Sequence, residues 1–144
     1  MGEYPQSFRS LIVWQKAQEL ALEVARLVAR LPRDSVACVL GPQVMASAAS
    51  IGANIAEGYG RYATGAYRNH LSIARGSACE TDGWLDLLCR AGYIDEETES
   101  RLHELCVEVV KLLTRRMIGL DKQRNGAGRL REEPLAYEVE EAVE

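Results

Sequence analysis

The placement of proline and the spacing of apolar residues constrain the fold of this chain most strongly. Four prolines occur in 144 residues, and none lies between Pro42 and Pro134. A proline inside a helix removes one backbone hydrogen bond and clashes with the preceding turn, so this long interval is free to be helical. Apolar residues recur within it at spacings of three and four, which line one face of a helix. The sequence therefore predicts an all-α protein.

Two helices are expected in the first part of the chain. The first covers about residues 11–30, has one apolar face, and ends before Pro32. The second is expected to start at Gly41-Pro42, because the missing amide proton of proline needs no partner at a helix start, and to end near Glu57. Small residues on a further face of the second helix allow another backbone to approach closely, and these are Ala46, Ala49 and Ala53. Its polar stripe consists of Gln43, Ser47, Ser50, Asn54 and Glu57.

Two more helices are expected after Gly60. The third covers about residues 65–90 with Thr64 as its cap. It has a coiled-coil-like seam formed by Tyr67, Leu71, Ala74, Ala78, Thr81, Leu85 and Leu88. The fourth begins after a cap at Asp95 or Thr98 and is expected to end at Gly119.

Four helices with short connections predict an antiparallel up-down-up-down four-helix bundle. The expected organisation is an N-terminal extension over residues 1–10, the bundle over 11–119, and a flexible acidic tail over 120–144. The formal net charge of −4 divides into −1 for residues 1–119 and −3 for the tail. Because a protein that binds nucleic acid nonspecifically is normally basic, this balance counts against such a role for the whole chain.

The composition also bears on compartment and cofactors. No uninterrupted apolar run approaches the length of about 18 residues that a membrane span needs, and the first residues do not resemble a secretory signal. A cytoplasmic protein with reduced, structural thiols is expected, with no metal or other cofactor. The four cysteines, which form no C-x-x-C pair, are Cys38, Cys79, Cys89 and Cys106. His70 and His103 are interpreted as surface or boundary residues without acidic or cysteine neighbours at ligand spacing.

Four blocks of the sequence, within about residues 8–119, are distinctive, and these are LIVWQKAQELA, GPQVMASAASIGANIAEGYGR, HLSIARGSACETDGWL and AGYID. They resemble the family of 23S ribosomal RNA intervening-sequence proteins. The resemblance implies a compact up-down bundle whose subunits assemble as five-fold rings, with no established activity. Related bundle proteins bind the reverse transcriptase of diversity-generating retroelements and its RNA. The implied partner is therefore another copy of the chain, with RNA or a reverse transcriptase as the alternative.

Five polar residues match the motif of that family, and these are Asn54, Glu57, Arg61, Ser77 and Glu80. One interpretation is a recognition or catalytic patch. The favoured interpretation is a hydrogen-bonded network between the second and third helices, because an unpaired buried charge costs several kcal/mol. Glu57 and Glu80 are the only candidates for an acid/base pair, but no nucleophile or metal ligand accompanies them. No catalytic residue is assigned.

Arginines supply the candidate nucleic-acid contacts. Arg68 and Arg75 are seven residues apart and share one helix face, which Arg61 approaches, while Arg115 and Arg116 lie on another side. In one subunit this is a small solvated patch. Repeated around a ring it would form a positive band for RNA.

Three functions remain after this reasoning. The preferred one is a non-enzymatic, homo-oligomeric bundle that serves as an interaction or scaffold protein. The alternative is an RNA-binding accessory protein of a reverse transcriptase or of ribosomal RNA. A carboxylate-dependent enzyme is the third, and it rests only on Glu57 and Glu80.

Overall fold

Four α-helices make up nearly all of the described chain. The computed structural model describes residues 7–126. A 3-10 turn at Phe8–Ser10 precedes α1 (Ile12–Ala29), α2 (Ser35–Tyr59), α3 (Thr64–Arg90) and α4 (Glu96–Gly126). Each helix packs against its neighbour in sequence, and α1 also packs against α4, so the helices form a closed square of antiparallel neighbours. The predicted all-α, up-down-up-down bundle is confirmed.

The core follows the apolar stripes. One fully buried side chain from each helix illustrates it, namely Leu20, Ile51, Leu71 and Val109. All seven residues of the predicted α3 seam are buried. A large apolar side chain contributes roughly 1.5–3 kcal/mol when it is fully buried, so these stripes supply the main stabilisation of the bundle.

The start of α2 differs from the sequence prediction. The helix begins at Ser35, well before Gly41-Pro42, because the Asp34 side chain caps it by accepting a hydrogen bond from the Ala37 amide at 2.8 Å. Pro42 lies inside the helix on its solvent-exposed side, where water can replace the backbone hydrogen bond that proline removes. Tyr93 also donates a hydrogen bond to Asp34, at 2.8 Å.

The ends of α3 and α4 also correct the prediction in part. Thr64 is the first residue of α3 rather than its cap, and the capping position is occupied by Ala63 without a side-chain bond. Asp95 is confirmed as the cap of α4, since it accepts a hydrogen bond from the Thr98 amide at 2.7 Å. The helix does not stop at Gly119 but continues to Gly126, with Leu120 buried.

The termini bear on the predicted division of the chain. The first seven residues of the proposed tail, 120–126, belong to α4. The expected flexible tail otherwise lies outside the described residues, as do the first six residues of the proposed N-terminal extension.

Helix α2 has the length and composition of a membrane span, with a mean hydropathy of 1.5 over its most apolar 18-residue window. The buried core helix of a soluble protein meets the same test. Its core face, which includes Val44, Ile51 and Ile55, is fully buried within the bundle. We therefore interpret α2 as a core helix with an unusually apolar outer side.

Candidate functional site

Three of the five predicted network residues come together at the end of α2. Arg61 Nη2 lies 2.6 Å from Glu57 Oε1, and Asn54 Oδ1 lies 3.2 Å from His70 Nδ1 on α3. The same His70 nitrogen is 4.0 Å from Glu57 Oε2. His70, for which the sequence predicted no acidic neighbour, therefore links α3 to α2.

This group lies at the surface rather than in the core. The Glu57 and Arg61 side chains are each more than half exposed. The hydrogen bond from Arg61, and then the charge of His70, lower the pKa of Glu57. Because exposed ion pairs contribute only about 0–1 kcal/mol, the group does not hold the helices together by itself.

Ser77 and Glu80 do not join that group among the described contacts. Glu80 accepts a hydrogen bond from Trp84 on its own helix at 3.4 Å. The Ser77 carbonyl lies 2.8 Å from the Thr81 hydroxyl, which is also 2.9 Å from the hydroxyl of Ser47 on α2. Thr81 and Ser47 are both buried, so this pair is the internal polar link between α2 and α3.

The register of α2 against α3 separates the two carboxylates of the proposed acid/base pair. Asn54 faces His70, and Ser47 faces Thr81, so Glu80 lies near the level of Ser47. Glu57 is ten residues further along α2, which corresponds to about 15 Å of helix. Glu57 and Glu80 therefore do not form a carboxylate pair.

Two arginines of α3, Arg68 and Arg75, bind residues of α4. Arg68 Nε and Nη2 donate to the two carboxylate oxygens of Asp121 at 2.9 and 3.1 Å. Arg75 Nε donates to the Thr114 hydroxyl at 3.0 Å. Sequence reasoning missed both partners, and Asp121 in particular was assigned to the tail.

Arg115 and Arg116 are both exposed on α4. The Arg116 guanidinium lies 5.6 Å from the centre of the Tyr67 ring, within the range of a cation–π contact. They belong to a basic half of the helix, which comprises Lys111, Arg115, Arg116, Lys122 and Arg124. The first half of α4 along the chain is acidic, and its glutamates are Glu96, Glu97, Glu99, Glu104 and Glu108.

A charge-free surface extends over the outer sides of α1 and α2. From Ser35 to Ala56, α2 has no charged residue. Its outward positions are occupied mainly by small or apolar residues, namely Cys38, Val39, Pro42, Ala46, Ala49 and Ala53. A shallow groove between the helices adjoins them and is lined by Trp14, Gln18, Ala21, Leu22, Ala49, Gly52, Ala53 and Ala56. We refer to these twelve positions, of which Ala49 and Ala53 belong to both sets, as the α1–α2 face.

A second group was missed because its members come from different helices. His103 Nδ1 on α4 lies 2.8 Å from Asp82 Oδ1 on α3, and Glu99 lies one helical turn before His103. The expectation that His103 has no acidic neighbour at ligand spacing is wrong. The interval of four residues between Glu99 and His103 could have predicted that these two side chains are neighbours. Asp82 lies on α3, so its place beside them could be predicted only from the register of α3 against α4.

The cysteines are all free, but they are not uniformly structural. Cys106 is buried, Cys89 is half-buried, and Cys38 and Cys79 are exposed. Burial, and then the charge of Asp82, raises the pKa of the Cys106 thiol to about 12.

Comparison with known proteins identifies the family. The profile described as "23S rRNA-intervening sequence protein" matches residues 9–115, which is most of the chain and nearly all of the bundle. The chain belongs to the 23S rRNA-intervening sequence protein family. The resemblance drawn from the four sequence blocks is confirmed.

A solved structure supports the same assignment. A protein of unknown function from the S23 ribosomal protein family of Bacteroides thetaiotaomicron is similar to the chain at 33% sequence identity and a TM-score of 0.70. The similarity covers 74% of this chain and 98% of that one. Among curated proteins, none matches the chain. The family match and this neighbour therefore establish the fold, and they leave the function uncharacterised.

Proposed function

We propose that the chain is a non-enzymatic bundle that assembles with copies of itself through the α1–α2 face and serves as an interaction or scaffold protein in the cytoplasm. The observation that carries this proposal is the absence of charge from α2 between Ser35 and Ala56, where Val39 is 62% exposed. Contiguous exposed apolar surface on a soluble protein commonly marks a binding interface.

The shape of the α1–α2 face suits a helix of another subunit. Ala49 and Ala53 keep its ridge low, and Gly52 lies in the groove between α1 and α2. Small side chains let a second backbone approach closely, while Leu22, which is 52% exposed, offers an apolar contact. Burying this surface removes apolar area from water, which contributes roughly 25 cal/mol of favourable free energy per Å². It leaves no charged side chain buried without a partner.

A closed ring, which the sequence resemblance implies, requires the α1–α2 face to contact a different surface of the next subunit. A two-fold dimer would instead pair the face with itself. The proposal is assembly through this face, and five subunits is the number expected from the family resemblance.

Two observations favour a non-enzymatic, cytoplasmic role. Glu57 and Glu80 are separated along the bundle, so the carboxylate pair on which an enzymatic mechanism would rest does not form. All four cysteines are free, which agrees with a reducing compartment.

The experiment places charge on the face. The double variant Ala49→Glu/Ala53→Glu and the control Ser72→Glu/Asn69→Glu, at exposed positions on α3, would be compared by analytical ultracentrifugation. The proposal expects the α2 variant to dissociate to monomers while the α3 control assembles like the wild type. Dissociation of both variants, or of neither, contradicts assembly through the α1–α2 face, provided that circular dichroism shows both to be folded.

The basic half of α4 supports a second candidate, an accessory protein that binds RNA, either ribosomal RNA or the RNA of a reverse transcriptase. It carries five cations, and its single acid, Asp121, already pairs with Arg68. Phosphate contacts by lysine and arginine are the main source of affinity for nucleic acid, and they weaken steeply with salt.

Arg115 and Arg116 test this second candidate more cleanly than Arg68 or Arg75, which bind α4 residues. Fluorescence anisotropy with a structured RNA should show salt-sensitive binding that Arg115→Glu/Arg116→Glu weakens at least about tenfold. The control Arg26→Glu/Arg30→Glu makes the same change in net charge, but at the C-terminal end of α1. Equal weakening by both variants, or no binding at low salt, contradicts a specific basic surface on α4.

A further inference from the structure

Three side chains with metal-binding chemistry converge between α3 and α4. They are Asp82 of α3 and Glu99 and His103 of α4, and one donor atom from each lies within 4.8 Å of the other two. The closest pair is His103 Nδ1 and Asp82 Oδ1, at 2.8 Å. The Asp82 side chain is 31% exposed and that of His103 is 49% exposed, so an ion from solution can reach the group.

The helix geometry explains this convergence. Glu99 and His103 are four residues apart and lie on one face of α4. The antiparallel register of α3 and α4, which also pairs Arg75 with Thr114, brings Asp82 opposite them. Metal sites in helical bundles are commonly built in this way, from carboxylates and histidines on facing helices.

A further donor, the Cys106 thiol, lies beside Asp82 but is not among the atoms that lie within 4.8 Å of one another. Cys106 follows His103 by three residues, is 1% exposed, and has no hydrogen-bond partner among the described contacts of its thiol. It lines a cavity of about 240 Å³ between α3 and α4, and Asp82 and Cys79 line the same cavity. A buried thiol without a hydrogen bond, beside carboxylates, is a donor that a soft or borderline cation would use.

We propose that Asp82, Glu99 and His103 bind a divalent ion of the Zn²⁺ class, with the Cys106 thiolate as the fourth ligand. Zn²⁺ binds nitrogen, oxygen and sulfur donors at about 2.0–2.3 Å, so its tetrahedral ligand atoms lie about 3.3–3.7 Å apart. The donor atoms of Asp82, Glu99 and His103, which lie within 4.8 Å of one another, must draw closer to reach this spacing, and the Cys106 thiol, which is not part of that group, must turn toward them. Mg²⁺ and Ca²⁺ prefer all-oxygen ligands and are therefore disfavoured.

The other interpretation is a surface ion pair that joins α3 and α4, similar to the pair formed by Arg68 and Asp121. Such a pair binds no metal at stoichiometric amounts. The two interpretations are therefore separated by direct metal titration of the whole chain, purified without a histidine tag and treated with a chelator.

Isothermal titration calorimetry with Zn²⁺ should show one ion per chain. Asp82→Asn, Glu99→Gln and His103→Gln should each weaken binding by at least about tenfold, because each removes one direct ligand. The matched control is His70→Gln, which removes the other histidine, also close to a carboxylate but without a third donor. It should leave Zn²⁺ binding unchanged.

The absorption spectrum of the Co²⁺-loaded protein tests the fourth ligand separately. A thiolate ligand should give a near-ultraviolet charge-transfer band that Cys106→Ser removes, and a band that persists in Cys106→Ser contradicts the assignment of this thiol. Absence of stoichiometric Zn²⁺ binding overturns the proposal. So does binding that His70→Gln weakens as much as His103→Gln, because this would indicate nonspecific capture by histidine.

Discussion

Arg68 on α3 donates two hydrogen bonds to the carboxylate of Asp121 on α4, although 53 residues separate them in the sequence. The Arg68 and Asp121 side chains are 35% and 23% exposed, so solvent screens this pair less than a fully exposed one. Its position beyond Gly119 means that the pair fastens the last turns of α4 to the bundle.

We expect Arg68→Ala to lower the free energy of unfolding by about 1–2 kcal/mol, since it breaks a charge-assisted, two-bond contact between helices. The control is Arg90→Ala, which breaks the exposed Arg90–Asp86 pair within α3 and should cost only about 0.3–0.5 kcal/mol. Urea denaturation measures both. Equal losses would show that the contact between α3 and α4 adds nothing beyond a local helix pair.

Gly58 should tolerate a methyl group far less well than Gly52. A Cβ at Gly58 would lie 2.5 Å from His70 Cβ and 3.2 Å from the Tyr67 carbonyl, both of which belong to the packed helix α3. Gly58→Ala should therefore destabilise the bundle by about 1–3 kcal/mol.

Gly52→Ala is the matched comparison in the same helix. Its Cβ would lie 2.5 Å from Gln18 Oε1, the far end of a flexible side chain that can move aside. Alanine also favours a helix interior over glycine by about 0.5–1 kcal/mol, so the net change should be small or stabilising. Thermal unfolding would contradict this account if Gly52→Ala lowered the melting temperature as much as Gly58→Ala.

Removal of the hydroxyl group should affect stability differently at Tyr67 and at Tyr93. The Tyr67 hydroxyl is buried without a hydrogen-bond partner among the described residues, so Tyr67→Phe should leave stability unchanged or raise it. The Tyr93 hydroxyl donates to Asp34, and Tyr93→Phe should cost about 0.5–1.5 kcal/mol. Chemical denaturation of both variants provides the check, and a larger loss for Tyr67→Phe would indicate a partner for that hydroxyl.

The helix caps should make stability fall in acid. Hydrogen bonds from the Ala37 amide and Tyr93 lower the pKa of Asp34, and hydrogen bonds from Thr98 lower that of Asp95. A carboxyl whose pKa is lower in the folded state stabilises the fold above its unfolded pKa of about 3.9, and this contribution is lost as the pH falls through the folded value. Asp34→Asn/Asp95→Asn keeps capping side chains but should flatten the stability profile below about pH 4, the unfolded pKa of an aspartate. An unchanged acid slope in urea titrations would contradict the role of these two carboxylates.

The number and type of helices could be predicted because buried stripes are local and periodic. The α3 seam from Tyr67 to Leu88 repeats at three and four residues, and every position in it is buried. Family blocks such as NIAEGYGR added the connectivity expected for an up-down bundle. The core residues could therefore be predicted from the spacing of apolar residues alone.

Helix ends were less predictable because tertiary contacts outweigh the local signals of proline and glycine. Pro42 lies on the outer side of α2, where the lost backbone hydrogen bond faces water, and Asp34 provides the cap that starts the helix. Gly119 costs about 1 kcal/mol relative to alanine in a helix, but burial of Leu120 and the bond to Asp121 offset it.

The candidate sites show a similar division. The contact between Arg61 and Glu57 is local to the end of α2, and its interval of four residues predicts it. Contacts such as Asp82 with His103 join different helices, and they depend on a register that no single segment contains. Glu80 was grouped with Glu57 for the same reason, because sequence motifs do not measure distance along a bundle.

The measurement that tests assembly most directly is the molar mass of the wild-type chain in solution. One subunit has a mass of 15.9 kDa, and multi-angle light scattering after size-exclusion chromatography gives the mass without assuming a shape. At micromolar concentration we expect a mass of at least two subunits, with five subunits expected from the family resemblance. A mass of one subunit across the micromolar range would show that the α1–α2 face is not an interface between copies of the chain.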